Sequence, residues 1–163
     1  MRGNNPGNIR RVQGTPWVGE IIPTPWVPGF VVFDTLENGY RAMFILLNSY
    51  LARGYNTIEK IITRWAPPTE NNTAAYINFV SSYTGTPPDY IIEEDSSALW
   101  EVGLAMSEME QAGNITASDI GAATNAFNKL TGAAQTASLG WPFIILGILF
   151  GLTALNNRLK FFA

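Results

Sequence analysis

The feature that most constrains the fold is a run of nineteen residues without a charge, residues 137–155, near the C-terminus. At about 1.5 Å per residue, a helix of this length reaches close to the ~30 Å hydrocarbon thickness of a bilayer. The flanking residues are typical of the ends of a spanning helix: Trp141, Pro142, Arg158 and Lys160. A buried core helix is the alternative, but a domain this small rarely encloses one. The run therefore predicts a transmembrane helix over residues 137–158.

The composition supports one folded domain in front of this segment. Hydrophobic residues make up 47% of the 163-residue chain and charged residues only 14%, well below the level of ordinary soluble domains. We predict a folded domain over residues 1–130, a small-residue linker at 131–136 and a short basic and aromatic tail at 159–163. A single-pass, membrane-anchored protein with the lipid bilayer as a partner follows from this arrangement.

The chain contains neither cysteine nor histidine. This excludes Ser-His-Asp and Cys-His catalysis and every histidine-ligated metal site, and leaves carboxylates as the acid and base groups near neutral pH. Residues 1–64 carry seven basic and four acidic groups, whereas residues 65–128 carry nine acidic groups and no basic one. Because a nucleic-acid-binding surface would be basic throughout, a nucleic-acid partner is disfavoured.

The hydrophobic pattern predicts a mainly α domain behind an irregular N-terminal segment. Residues 1–33 are rich in Gly, Pro and Asn, and predict ordered loop with at most a strand or hairpin. About five short helices follow, with N-terminal signals at the following positions: Asp34 with Glu37, Asn56 with Glu59, Asn72 or Thr73, residues 95–97, and Thr116 with Asp119. Gly113 supplies a stop for the fourth helix, which carries Glu108 and Glu110.

Several motifs follow one another in the order and spacing of a known family. They are RGNNPGNIR at residues 2–10, Trp17 with Gly19, GYRA at 39–42, RWAPP at 64–68, ENxTxxYI at 70–77, and Ala105-Met106 before Glu110 and Gly113. Over residues 2–125 the chain resembles the phage virion-associated, lysozyme-like muralytic domains. The family usually has Asn-Gly after the glutamate, where this chain has Gln111 and Ala112.

The resemblance implies a small lysozyme-like fold that cuts the glycan strands of peptidoglycan without a metal or an organic cofactor. It also implies a glutamate as general acid and base, which in lytic transglycosylases can act alone. Glu110 is the first candidate, because it lies on the margin of an apolar helix face near the helix end. A solvated glutamate at a helix end is the alternative. Glu108 is predicted to point to solvent.

Two further carboxylates are candidates for catalysis. Glu70 lies in the loop between Pro68 and Asn72, where a functional role competes with a structural one at a helix N-terminus. Glu37 is the third candidate, with a capping box to Asp34 as its structural alternative.

Substrate-binding residues are predicted from side chains that suit sugars. The amides of Asn4, Asn5, Asn8 and Asn71 suit N-acetyl and hydroxyl groups, although Asn-Pro-Gly-Asn is also ordinary turn chemistry. Stacking on sugar faces is predicted for Trp17, Trp26, Trp65 and Tyr76, with packing in the core or a loop as the alternative.

Taken together, the motifs and the charge-free run predict a membrane-anchored peptidoglycan-cleaving enzyme of a phage virion or lysis system. Its location would be the internal membrane of a virion or the bacterial cell envelope. Its expected partners are peptidoglycan, the bilayer and other capsid or membrane proteins of the virion. The rival is a catalytically inactive structural virion protein that keeps the fold and links a capsid or vertex to an internal membrane. The altered residues after Glu110 favour this rival.

Overall fold

The computed structural model describes residues 3–12, 14, 16–22 and 29–132. Over these residues the chain is mainly helical, as predicted. Its five helices are α1 (Leu36–Leu51), α2 (Ile58–Trp65), α3 (Thr73–Thr84), α4 (Ser97–Glu110) and α5 (Ala117–Thr131). All five lie in the first of two units of the chain, Met1–Thr131; the second, Gly132–Ala163, lies outside the described residues apart from Gly132.

The predicted membrane helix is corrected. No helix among the described residues is long and apolar enough to cross a bilayer, so the predictions of a C-terminal transmembrane helix and of single-pass membrane anchoring are wrong on this finding. The segment on which they rested, residues 137–158, lies outside the described residues, as do the linker from residue 133 onward and the tail at 159–163. The predicted anchor residues fall in this region too: Trp141, Pro142, Arg158 and Lys160.

Side-chain oxygens cap the starts of the first four helices. Thr35, Thr57, Asn72 and Ser96 are the N-cap residues, and each accepts the backbone N–H of the residue three positions on. The sequence had placed the first two caps one residue earlier, at Asp34 and Asn56. Asp34 instead accepts the amide of Asn38 at 2.8 Å, which lowers the pKa of its carboxyl.

The helices enclose one hydrophobic core. α1 packs mainly against α5, and α3 packs against both α2 and α4. The ring of Phe44 meets that of Phe127 edge to face, with centroids 5.1 Å apart. Fully buried side chains come from all five helices and from the segment before α1: Val31, Phe33, Tyr40, Met43, Phe44, Leu47, Ile58, Ile61, Ile62, Val80, Leu99, Met106 and Ala123.

The N-terminal segment is irregular, with isolated β-bridges between Arg10 and Phe30 and between Glu20 and Phe33. Asn5 is buried and fixes this segment through its side chain. Its amide donates to the carbonyls of Ile9 at 3.0 Å and Val31 at 2.9 Å, and its carbonyl accepts the Ile9 N–H at 2.8 Å. These side-chain hydrogen bonds satisfy backbone groups that would be paired with a neighbouring strand in a regular β-sheet.

The C-terminus of α4 closes with two hydrogen bonds of the Schellman type. The Ala112 N–H donates to the Met109 carbonyl at 3.2 Å, and the Gly113 N–H donates to the Glu108 carbonyl at 3.0 Å. Ala112 has a φ of 53°, which is the left-handed conformation that glycine adopts most readily. The predicted stop at Gly113 therefore involves its neighbour as well.

We expect Ala112→Gly to raise the free energy of unfolding by about 1 kcal/mol, because glycine removes the steric cost of the left-handed conformation. Urea unfolding of the full chain measures the change. Ala75→Gly, at an exposed position of α3, is the control and is expected to have the opposite sign. A loss of stability in Ala112→Gly comparable to that of the control would contradict the assignment of strain.

A buried polar network joins α1, α4 and the start of α5. The Tyr40 hydroxyl lies 2.8 Å from the Ser107 hydroxyl and donates to Asp119 at 3.3 Å, and the Gln111 amide donates to both Ser107 and Asp119. Thr116 and Asp119, the predicted pair at the start of α5, cap each other. The Thr116 N–H donates to the Asp119 carboxylate at 3.0 Å, and the Asp119 N–H donates to the Thr116 hydroxyl at 3.4 Å. Burial raises the pKa of Tyr40 far above its usual range, so its hydroxyl stays protonated.

This network makes stability depend on pH. Burial alone would raise the pKa of Asp119, but hydrogen bonds from Thr116, Gln111 and Tyr40 lower it below its ordinary value. A lowered folded-state pKa stabilises the fold above the unfolded-state pKa of about 4, and this contribution is lost as pH falls through the folded-state value. We therefore expect Asp119→Asn to lose most stability near neutral pH, with a difference from wild type that narrows in acid. Denaturant unfolding at several pH values measures the difference in the free energy of unfolding between the variant and wild type. A difference that stays constant across pH would contradict this account.

Candidate active site

Glu110 is the last residue of α4, and its carboxylate receives three hydrogen bonds from distant parts of the chain. The Tyr76 hydroxyl donates to Oε1 at 3.0 Å, and the Trp65 indole Nε1 donates to the same oxygen at 3.2 Å. The Asn8 amide donates to Oε2 at 2.8 Å. Glu110 is half-buried, and the three donors hold its carboxylate in place. We call these four residues the Glu110 cluster.

Trp65 enters the cluster from the end of α2. The prolines at 67 and 68 follow after one intervening residue, so the helix ends at Trp65 and the backbone turns away. The indole lies against Gly7, where a Cβ would come within 2.9 Å of the ring, and edge to face with Tyr50 at 6.3 Å between centroids. The absence of a side chain at Gly7 lets the ring lie beside the N-terminal loop, which places its Nε1 at Glu110.

Tyr76 lies on the inner face of α3 and is 5% exposed. Burial raises its pKa well above the ordinary value, and the negative charge of Glu110 raises it further. The hydroxyl therefore keeps its proton and acts as a donor to the carboxylate. The same hydroxyl lies 3.2 Å from the Met106 carbonyl.

Asn8 reaches the cluster from the N-terminal loop. Its φ is 47°, a left-handed conformation that asparagine tolerates better than most residues. Its amide also lies 3.4 Å from the backbone carbonyl of Glu110, so both amide protons face the same residue. Three side chains predicted to bind substrate (Asn8, Trp65 and Tyr76) therefore donate hydrogen bonds to the glutamate predicted to be catalytic.

The other predicted asparagines are placed differently. The Asn4 amide donates to the Phe33 carbonyl at 3.0 Å, and the Asn5 amide is used entirely on backbone carbonyls. Both side chains therefore support the loop that carries Asn8. Asn71 is exposed and its amide donates to the Pro67 carbonyl at 3.4 Å.

The remaining candidate carboxylates lie in exposed ion pairs. Glu70 pairs with Arg10 at 2.8 Å, with side chains 53% and 71% exposed, and Glu37 pairs with Lys129 at 2.6 Å. Neither carboxylate takes part in the Glu110 cluster. Because Arg10 is two residues from Asn8 and Glu70 is five from Trp65, their pair links the two loops that carry those residues.

Glu108 is not exposed, contrary to the sequence-based prediction. It is 4% exposed, and its Oε2 accepts the Ile115 N–H at 3.1 Å. The turn after α4 folds back over this side chain, with the Gly113 N–H bonded to the Glu108 carbonyl. Glu108 therefore stabilises the turn that follows Glu110.

Comparison with known proteins identifies the family to which the chain belongs. No protein-family model matches the sequence. The chain is 38% identical over 117 residues to protein P5 of Pseudoalteromonas phage PM2, and the matched region covers 70% of this chain and 71% of the phage protein. The chain belongs to the family of this phage protein.

Trp17 of this P5-family chain lies apart from the Glu110 cluster. It is half-buried and lines a cleft of about 620 Å³, together with Arg11, Pro16 and Glu20. Arg11 pairs with Glu20 at 3.1 Å inside this cleft, and Glu20 also accepts the Trp17 N–H at 2.9 Å. None of the residues lining the cleft belongs to the Glu110 cluster. Trp26 lies outside the described residues.

Sequence reasoning missed two polar features of the P5-family domain. One is the buried network of Tyr40, Ser107 and Asp119, for which the capping signal at Thr116 was the only indication. The other is the buried position of Glu108. Within the part of the chain that the structure describes, no group of three acidic side chains could hold a metal ion.

Proposed function

We propose that this P5-family chain cleaves the glycan strands of peptidoglycan, with Glu110 as general acid and base. The observation that carries the proposal is the Glu110 cluster itself: a half-buried carboxylate at a helix end, held by Asn8, Trp65 and Tyr76. The likeness of the NNPGNI and RWAPP motifs to muralytic domains supports it, since these motifs supply Asn8 and Trp65.

The chemistry needs one carboxyl group in two protonation states. Protonated Glu110 donates its proton to the glycosidic oxygen as the bond between that oxygen and the anomeric carbon breaks. The attacking hydroxyl, from water or from the same sugar, then forms a new bond to the anomeric carbon and gives its proton to the Glu110 carboxylate. The acid is thereby regenerated.

Charge pairing favours Glu110 over the other candidates for this role. Glu70 and Glu37 each form a salt bridge with a cation, Arg10 and Lys129 respectively. Among the described residues Glu110 forms no salt bridge, and its hydrogen-bond partners are all neutral donors. Its carboxyl is therefore not committed to a cation, as those of Glu70 and Glu37 are.

Glycan strands are long, and the cleft lined by Trp17 offers them a second contact. A tryptophan face with an adjacent Arg11–Glu20 pair suits a sugar ring, which has an apolar face and a rim of hydroxyl groups. We place a remote sugar of the same strand there. Binding energy at such a site contributes to holding the scissile bond at Glu110.

The experiment is digestion of purified peptidoglycan sacculi by the full-length chain, followed by mass spectrometry of the soluble products. Fragments with new glycan ends, either reducing ends or 1,6-anhydro ends, support the proposal. Fragments produced only by peptide-bond cleavage, or no soluble fragments from a folded protein, would overturn it.

A structural virion protein is the second candidate, because the same three hydrogen bonds also cross-link the N-terminal loop to α2, α3 and α4. In that case Glu110 serves stability alone. Its replacement would then lower the free energy of unfolding in a protein whose wild-type form releases no glycan fragments.

A further inference from the structure

The two oxygens of the Glu110 carboxylate have different surroundings. Among the residues that the structure describes, Oε1 accepts from both Tyr76 and Trp65, whereas Oε2 accepts from Asn8 alone. A carboxylate has roughly two acceptor positions on each oxygen. The donors therefore occupy both positions of Oε1 and leave one position of Oε2 open.

We infer that Tyr76 and Trp65 are positioning residues that reserve Oε2 as the oxygen which carries the catalytic proton. In the protonated state Oε1 is then the carbonyl oxygen, because it keeps both donors without a conflict. A proton on Oε1 would instead meet an N–H or O–H that already points at that oxygen. The catalytic meaning of this inference rests on the proposed function, although the position of the proton does not.

The direction of the Tyr76 proton decides how well Oε1 is held. The hydroxyl lies 3.0 Å from Oε1 and 3.2 Å from the Met106 carbonyl, and a tyrosine has one proton to donate. A carboxylate is the stronger acceptor, so the proton points to Oε1 when Glu110 is ionised. If the Tyr76 proton pointed to the Met106 carbonyl when Glu110 is protonated, Oε1 could carry the Glu110 proton. The test must distinguish this arrangement from one with the proton on Oε2.

Asn8 has a different effect from the other two donors. Both of its amide protons face Glu110, one at Oε2 and one at the backbone carbonyl, so it fixes Oε2 without filling the open acceptor position. The glutamate lies at the end of α4, and the left-handed residue Ala112 turns the chain away two residues later. We assign the open position of Oε2 to the glycosidic oxygen.

Infrared spectroscopy can test the assignment without any activity. Isotope-edited spectra of the protonated carboxyl, assigned by subtraction of Glu110→Gln, report the C=O stretch of Glu110. Hydrogen bonds to the carbonyl oxygen lower its frequency, so Tyr76→Phe and Trp65→Phe are expected to raise it. Asn8→Gly keeps the left-handed conformation and removes only the donor to Oε2, so it is expected to leave the stretch nearly unchanged. Tyr83→Phe, also on α3, is the matched control with no expected change.

The kinetics of glycan cleavage give the catalytic readout. Loss of the Tyr76 or Trp65 donor leaves one acceptor position of Oε1 empty and loosens the carboxyl. In both variants a fall of about 10-fold in kcat on soluble glycan fragments is expected, with little change in KM.

The outcomes separate the two proposals. A C=O stretch that moves only in Asn8→Gly, or in none of the folded variants, would overturn the assignment of the proton to Oε2. Stretches that follow the expected pattern in a protein that cleaves no glycan would leave the assignment standing and refute the proposed function. Thermal unfolding of each variant confirms that the comparison is made on folded protein.

Discussion

Glu110→Gln is expected to lower the rate of glycan cleavage by about 1,000-fold, within the usual range for loss of a general acid and base. Glutamine is nearly isosteric and can still accept from Tyr76 and Trp65 through its carbonyl oxygen. It cannot donate a proton to a leaving oxygen or recover one from an attacking hydroxyl. The rate of release of new glycan ends from sacculi measures the effect.

Glu70→Gln is the matched control for this substitution. It removes the same charge from a carboxylate that is 53% exposed and paired with Arg10, where an ion pair contributes little to stability. Its rate is expected to stay within about 3-fold of wild type. A loss in Glu70→Gln as large as that in Glu110→Gln, or a fully active Glu110→Gln protein, would contradict the assignment of the acid.

Gly39→Ala is expected to lower the free energy of unfolding by about 3 kcal/mol, the upper end for forced overpacking. A Cβ at this position on α1 would collide with the backbone carbonyl of Asn4 and lie 2.7 Å from Pro6 Cδ. The contact is with the backbone of the loop that carries Asn8, so relief requires the loop to move. We expect glycan cleavage to fall as well, since Asn8 would no longer reach Glu110.

Gly121→Ala is the control for Gly39→Ala, and it is expected to change the free energy of unfolding in the opposite direction. Gly121 lies inside α5 with open space around its Cβ position, so alanine should raise the free energy of unfolding by about 0.5–1 kcal/mol. Urea unfolding of both variants measures the pair. Equal effects of the two substitutions would show that the close approach of α1 to the loop does not govern stability.

Much of the helical fold could be predicted from the sequence, because its signals are local. The caps at Asn72, at Ser96 and at Thr116 with Asp119 lie within one turn of the groups they satisfy. The caps at Thr35 and Thr57 were missed by one residue, since adjacent polar residues compete for the same N–H and only the backbone geometry decides.

The site was predictable only in part. No local pattern joins Asn8 to Glu110, which are 102 residues apart, and the family resemblance alone brought them into one prediction. Residue type alone could not distinguish Asn8 from Asn4 and Asn5. The difference lies in the fold, because the side-chain amides of Asn4 and Asn5 donate to backbone carbonyls. Glu108 was misplaced because the turn after α4 folds back over it, which helical spacing does not encode.

The most direct test of the central claim is to bind uncut glycan fragments to the Glu110→Gln chain and follow the indole N–H resonances by NMR. The Trp65 indole donates to Glu110 in the structure, so its resonance is expected to move and saturate as fragments are added. Trp65→Phe assigns that resonance by its loss. A folded variant that binds the fragments with no movement of the Trp65 resonance would place the site elsewhere and contradict the account.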